Sequence, residues 1–165
     1  MWLIIKFDKK KIDFLKNEIK KKIGSEILYY NPMFKVKIQN KLRSYFREVS
    51  LLDDYIFVYC KSFKNLKVVE NLRFAKGLKY ILSGYINSQK EILEFINKCK
   101  KSEDQSGYLT SNFYDLISDT NYKFEDGPFS NMIFKLIRID NKKIDILLGD
   151  LRTKIDKNKF LISPV

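Results

Sequence analysis

The chain has 165 residues, 45% hydrophobic and 15% aromatic, with no histidine and a formal net charge of +12. That length allows one ordinary domain or two small ones, and that apolar share supports a real core rather than global disorder. Without histidine there is no Ser-His-Asp or Cys-His nucleophile system and no histidine metal site.

Residues 2–7, "WLIIKF", read as a buried strand. In "DKKKIDFLKNEIKKKIG", Ile12, Leu15, Ile19 and Ile23 recur at helical spacing and lysines fill the other faces, so a helix is predicted that ends at Gly24. Residues 26–30 and 33–38 look extended, broken by Asn31-Pro32. "DYIFVYC", 54–60, is β-branched and aromatic with no breaker, which predicts a central strand. A short helix over 64–73 and a short strand over 77–84 follow. Ser88-Gln89-Lys90-Glu91 has the form of a capping box and opens a helix with Ile92, Phe95, Ile96 and Cys99 on one face. This order predicts a small antiparallel sheet with helices packed on it.

Residues 102–119 are polar and without a clear period, and read as a linker whose few apolar residues (Leu109, Phe113, Tyr114, Leu116, Ile117) dock on a neighbour. From 120 the pattern changes to short strands: Tyr122-Lys123-Phe124, then Phe134 to Ile139, a hairpin turn at 140–143, Ile144 to Leu148, a break at Gly149-Asp150, and two more strands near Thr153–Ile155 and Phe160–Ile162. Asp126-Gly127-Pro128 reverses the chain between the first two of these strands, and Phe129 is expected to plug the core behind it. The predicted class is α+β: a sheet-and-helix domain over 1–101, a linker over 102–119 and a small all-β barrel over 120–165.

The remaining composition narrows function by exclusion. No GxxxxGK[ST] or GxGxxG phosphate loop is present, so no enzyme and no cofactor are expected. Cys60 and Cys99 stand far apart and form no metal-ligand spacing; they read as buried reduced thiols. No apolar run approaches the ~20 residues of a membrane span, and Met1 to Lys6 is too short for a signal-peptide core, so a cytoplasmic protein is expected. Residues 1–100 carry 22 Lys+Arg against 10 Asp+Glu, whereas residues 101–165 carry 10 against 10. The basic character belongs to the first part, which is expected to meet a polyanion.

Several stretches in register resemble the NusG family of transcription elongation factors. "YKFEDGPF" at 122–129, a hairpin, and "ILLGDLRTKIDKNKFLI" at 146–162 resemble the family's KOW domain. Trp2 opening the first strand, Pro32-Met33, "LLDDYIFVYC" at 51–60 and "RFAKGLKYILSG" at 73–84 resemble its N-terminal domain. The family's second KOW glycine is replaced around Phe134, and Pro32-Met33, "YIFV" and "ILLGDL" look closer to the specialised RfaH-like branch. Asp53-Asp54 stands where housekeeping members have Pro-Gly, and Val68-Val69-Glu70-Asn71 lacks the His-Thr-rich pattern through which RfaH-like members touch the polymerase β subunit.

The resemblance implies a non-enzymatic, monomeric elongation or antitermination factor. An apolar face of its N-terminal domain would dock on the β′ clamp helices of bacterial RNA polymerase. Tyr55 and Phe57, two apart on one strand, share a face, and Trp2 and Ile4 line the same face from the first strand. The residues alone leave core and interface equally open; the resemblance selects interface for Tyr55 and Phe57. Lys9, Lys10 and Lys11, with Arg73, Lys76 and Lys79 around Gly77, are the implied contacts to upstream or non-template DNA, with Phe74 or Tyr80 available to stack a base. The barrel, marked by Asp126, Gly127, Pro128 and Phe129, would recruit a ribosomal protein or the termination factor Rho. Whether residues 120–165 also form the helical hairpin known in the RfaH branch stays open. The alternative is a KOW module that binds RNA or the ribosome without polymerase.

Overall fold

The computed structural model describes residues 1–24, 26–39, 43–110, 113–157 and 159–165. The chain is α+β, with antiparallel sheets and three α-helices among the described residues. It divides into two compact units, Met1–Pro32 with Ser50–Asn97, and Met33–Val49 with Lys98–Val165.

In the first unit, β1 (Trp2–Phe7), β2 (Leu28–Tyr30), β5 (Tyr55–Tyr59) and β6 (Leu78–Ile81) form one sheet in the order β2-β5-β1-β6, every neighbouring pair antiparallel. β5 is interior, as its unbroken β-branched and aromatic run predicts. Leu3, Ile5 and Phe7 alternate onto one face with Ile56 and Val58 and meet Leu15 and Ile19 of α1 (Ile12–Ile23) and Val69 and Leu72 of α2 (Leu66–Leu72). α1 ends at Gly24, whose φ of 108° suits glycine and whose N–H donates to Lys20 O. The opposite face carries Trp2, Ile4 and Phe57. It meets Ile92 and Ile96 of α3 (Gln89–Lys101), the helix that the Ser88–Glu91 pattern predicts.

The second unit starts with a ribbon the sequence reading misses in half. β3 (Met33–Gln39) pairs with β4 (Ser44–Ser50), which is exposed along nearly its whole length. "SYFREVS" has no buried face, so period-2 patterning has nothing to report. Within 102–119, residues 111 and 112 lie outside the described residues; the rest is folded rather than slack. Asp104 Oδ1 accepts from the N–H groups of Ser106 (2.8 Å) and Tyr108 (3.0 Å), closing a loop. Leu109 N donates to Met33 O at 2.7 Å and bridges Phe34, and Phe34 stacks on Tyr114 with centroids 5.8 Å apart. Leu109 and Phe113 are buried and Leu116 packs on the barrel core, as expected of docking residues; Ile117 is exposed.

The five remaining strands are β7 (Asn121–Phe124), β8 (Ile133–Ile139), β9 (Lys143–Leu148), β10 (Leu151–Asp156) and β11 (Ile162–Pro164), ordered β10-β9-β8-β7-β11 and all antiparallel. Tyr122, Phe124, Phe134, Leu136, Ile144, Ile146 and Ile162 make one buried cluster with Ile155 beside it, so all five strands turn their inner residues onto a common core. β11 starts at Ile162 rather than Phe160 because Phe160 folds over the β7–β8 turn, and Pro164 is tolerated on an edge strand.

That turn holds the residues singled out from sequence. Gly127 has φ +75°, and a Cβ there would meet the Phe160 ring at 3.1 Å. Asp126 Oδ1 accepts from Leu161 N at 2.7 Å and ties the turn to the approach of β11; burial pushes its carboxyl above the ordinary aspartate value, against the pull of that hydrogen bond. Phe129 does not plug the core. It is 37% exposed and lies over Phe124 and Phe160, with centroids 5.6 and 5.9 Å away, because it belongs to the turn beyond the end of β7 rather than to an inward position of a strand; the buried plug is Phe124. We predict that Gly127→Ala lowers stability by about 1–2 kcal/mol, since a left-handed backbone strains any Cβ and Phe160 blocks the space. A urea midpoint equal to wild type would count against this reading of the turn.

Candidate functional site

Register decides which side chains meet on the second face of the first sheet. Ile4 lies opposite Phe57, and Trp2 opposite Tyr59, so Trp2, Ile4, Tyr55 and Phe57 do share a face. They differ in access. Phe57 is 3% exposed, with Phe95 of α3 at 5.8 Å and Tyr30 at 6.2 Å between ring centroids. It is therefore a packing residue under α3, because this helix lies across the middle of the face that the alternation identifies. Trp2, Ile4 and Tyr55 are half-buried and remain at the margins. Trp2 is fastened by Gln89, whose Oε1 accepts from Trp2 N at 2.9 Å and whose Nε2 donates to Trp2 O at 2.8 Å and Tyr85 O at 2.6 Å. No sequence pattern marks Gln89 for this role, since Trp2 lies 87 residues away.

Away from α3 the same face turns polar. Lys6 stands between Tyr55 on β5 and Tyr80 on β6, directly opposite both. Its Nζ lies 5.0 Å from the Tyr55 centroid and 5.7 Å from that of Tyr80, and the two hydroxyls are hydrogen-bonded to each other. Asp54 sits beneath, nearly buried, 3.7 Å from Lys6 Nζ and 3.0 Å from Lys79 Nζ. Burial pushes the Asp54 carboxyl up, but the hydrogen bond from Lys79 and the charges of Lys6 and Lys79 outweigh it and hold the group below the usual aspartate value. Lys6 behaves in mirror image: desolvation lowers its value, and Asp54 with the tyrosine oxygens outweighs that and holds it above the ordinary lysine value. Only the folded structure reveals the cations around Asp54.

The basic residues gather at one end of this sheet. Lys9, Lys10 and Lys11 form a single 3-10 turn between β1 and α1, capped by Asp8, whose Oδ1 accepts from Lys10 N. Asp8 N donates to Gly77 O at 2.9 Å, and a Cβ on Gly77 would lie 3.1 Å from Lys11 O and 3.3 Å from Leu15 Cβ. Only glycine permits that approach, so Gly77 brings the 73–79 loop against the 9–11 turn. All six predicted cations are exposed. Three have internal carboxylate partners: Lys9 pairs with Asp53, Lys11 with Asp8 at 3.4 Å, and Lys79 with Asp54. Lys76 Nζ lies 5.3 Å over the ring of Phe14, which is itself exposed, and Phe74 beside Arg73 is 83% exposed. The Lys9–Asp53 and Lys11–Asp8 pairs lie at the surface, where such pairs are worth ~0–1 kcal/mol each, so a phosphate can replace these carboxylates at little cost, whereas Lys79 is held by the nearly buried Asp54. The surface offers cations next to bare aromatic faces, the composition that suits single-stranded nucleic acid.

No family model and no curated protein matches the chain. Among solved structures it is similar to NusG of Thermotoga maritima, at 14% identity over 99% of this chain and 96% of that one, with a TM-score of 0.33. It is also similar to a structure of the MjSpt4:Spt5 complex in its conformation B, at 13% identity over 100% of this chain and 98% of that one, with a TM-score of 0.30.

The remaining predicted site residues, Asp126, Gly127, Pro128 and Phe129, belong to the second unit and form the β7–β8 turn described above. Among the described residues no His/Cys/Asp/Glu group has the arrangement to hold a metal ion, and no helix is long and apolar enough to cross a membrane. Both thiols, Cys60 and Cys99, are buried.

Proposed function

We propose that the chain is a NusG-type transcription elongation or antitermination factor of the RfaH-like branch, acting without enzymatic chemistry as a cytoplasmic monomer. In this reading residues 1–101 form the N-terminal module, 102–119 the connection and 120–165 the KOW module. The margins of the α3-bearing face, Trp2, Ile4 and Tyr55, dock on the β′ clamp helices of bacterial RNA polymerase. The 9–11 turn and the 73–79 loop approach upstream or non-template DNA. The KOW module recruits a second factor, a ribosomal protein or Rho.

One observation supports this reading most: Gly77 joins two basic segments that are distant in sequence into one exposed, aromatic-bearing surface at the end of the sheet that carries Tyr55. Polymerase docking and DNA proximity then fall on one compact unit, with Lys6 and Asp54 at the junction.

Capture of bacterial core RNA polymerase on the immobilised full chain tests it. Tyr55→Ala should weaken capture tenfold or more, as about 1.4 kcal/mol at an interface anchor implies, with an unchanged circular dichroism spectrum. Equal capture by wild type and variant would sink the docking face.

A further inference from the structure

The β3–β4 ribbon lies outside the surfaces assigned above, and its composition is one-sided. Residues 33–49 hold five Lys or Arg against a single acid, Glu48. The 102–110 loop packs on this ribbon: the Tyr108 hydroxyl donates to Glu48, while Lys35 Nζ is held between two rings, 5.1 Å from the Phe46 centroid and 5.2 Å from that of Tyr108. Lys37 lies two residues on from Lys35 and shares its face. Phe46 is 61% exposed, so most of its surface is in water although it backs a cation. Tyr45 is half in water on the neighbouring position, and Arg47 is exposed.

A hydrophobic protein partner would find charge wherever it found an aromatic. A nucleic acid complements the cations and the aromatic together: phosphates for Lys35 and Lys37, and a ring face of Phe46 for a base. We infer that the Lys35–Lys37–Phe46 face of the ribbon binds single-stranded nucleic acid, with Tyr108 and Glu48 holding the aromatic–cation stack in place. Single strands are favoured over duplex because a base has to leave its stack to lie on Phe46. The site stands independently of polymerase docking.

Fluorescence anisotropy on the full chain tests this with a labelled single-stranded DNA, an RNA of the same sequence, and the corresponding duplex. Phe46→Ala should weaken single-strand binding about 5- to 150-fold, the cost of one lost stacking platform, and the substitution is safe for folding because the ring is exposed. Lys35→Gln with Lys37→Gln should flatten the dependence of log affinity on log salt by about 0.7 per lysine. The ratio of DNA to RNA affinity then identifies which strand is the ligand. Wild-type single-strand affinity in both ribbon variants would overturn the site, as would duplex binding as tight as single-strand binding. A Lys10→Gln, Lys76→Gln variant reports on the other basic surface: loss there with none at Phe46 overturns the ribbon site while leaving the proposed function standing.

Discussion

Alanine at Phe124 is expected to unfold the small five-stranded module outright. Phe124 is fully buried, with the Phe134 ring centroid at 4.5 Å, Phe160 at 5.4 Å and Phe129 at 5.6 Å. Removing such a ring costs about 3–5 kcal/mol, because the lost transfer energy adds to that of the cavity left behind. A core this small rarely supplies more than about 3–5 kcal/mol in total. The two figures are equal, so no reserve remains. In an amide proton–nitrogen spectrum of the full chain, the signals of residues 121–164 should collapse towards random-coil positions. Retention of their dispersion, with a wild-type urea midpoint, would show that the module draws its stability from elsewhere. Phe129→Ala is the internal comparison: a rim ring covers Phe124 without filling the centre, and its loss should leave the module folded.

The second large effect separates packing from docking on the first sheet. Phe57→Ala should destabilise the first unit by about 3–5 kcal/mol, since it empties the space between the sheet and Ile92, Phe95 and Ile96. Tyr55→Ala, two residues away, removes a half-exposed ring and should cost no more than about 1 kcal/mol. Thermal melts of the two variants measure the difference. A Phe57→Ala protein with an unshifted melt and weakened polymerase capture would return Phe57 to the interface and show that α3 does not seal this face.

The contrast between these two residues marks where sequence reading stops. Alternation along "YIFVY" correctly assigns Tyr55 and Phe57 to one face, because side-chain direction in a strand is local geometry. What covers that face depends on α3, more than thirty residues later, and on which side of the sheet it packs. The helix period of α3 gives its inner residues but not its destination. The same limit hides Lys6 and Asp54. Each is an ordinary charged residue until register sets Lys6 between Tyr55 and Tyr80 and brings Lys79 to Asp54. The barrel strands were legible because each buries alternate residues and is bounded by turn residues. β4 was not, because neither of its faces is buried. The order within the 102–110 loop is hidden for a related reason: it comes from Asp104 and from one bridge to a distant strand rather than from any period.

That bridge has a bearing on how copies of the chain behave together. A two-stranded ribbon has open rims, and each is a template on which an identical chain can align. The Leu109 bond to Met33 claims the start of the β3 rim with a residue of the same polypeptide. A second copy pairing there has first to evict Leu109 from a buried position. Resistance to self-assembly on this side is therefore written into residues 103–110, and a deletion of that loop would surrender it by leaving the start of β3 open.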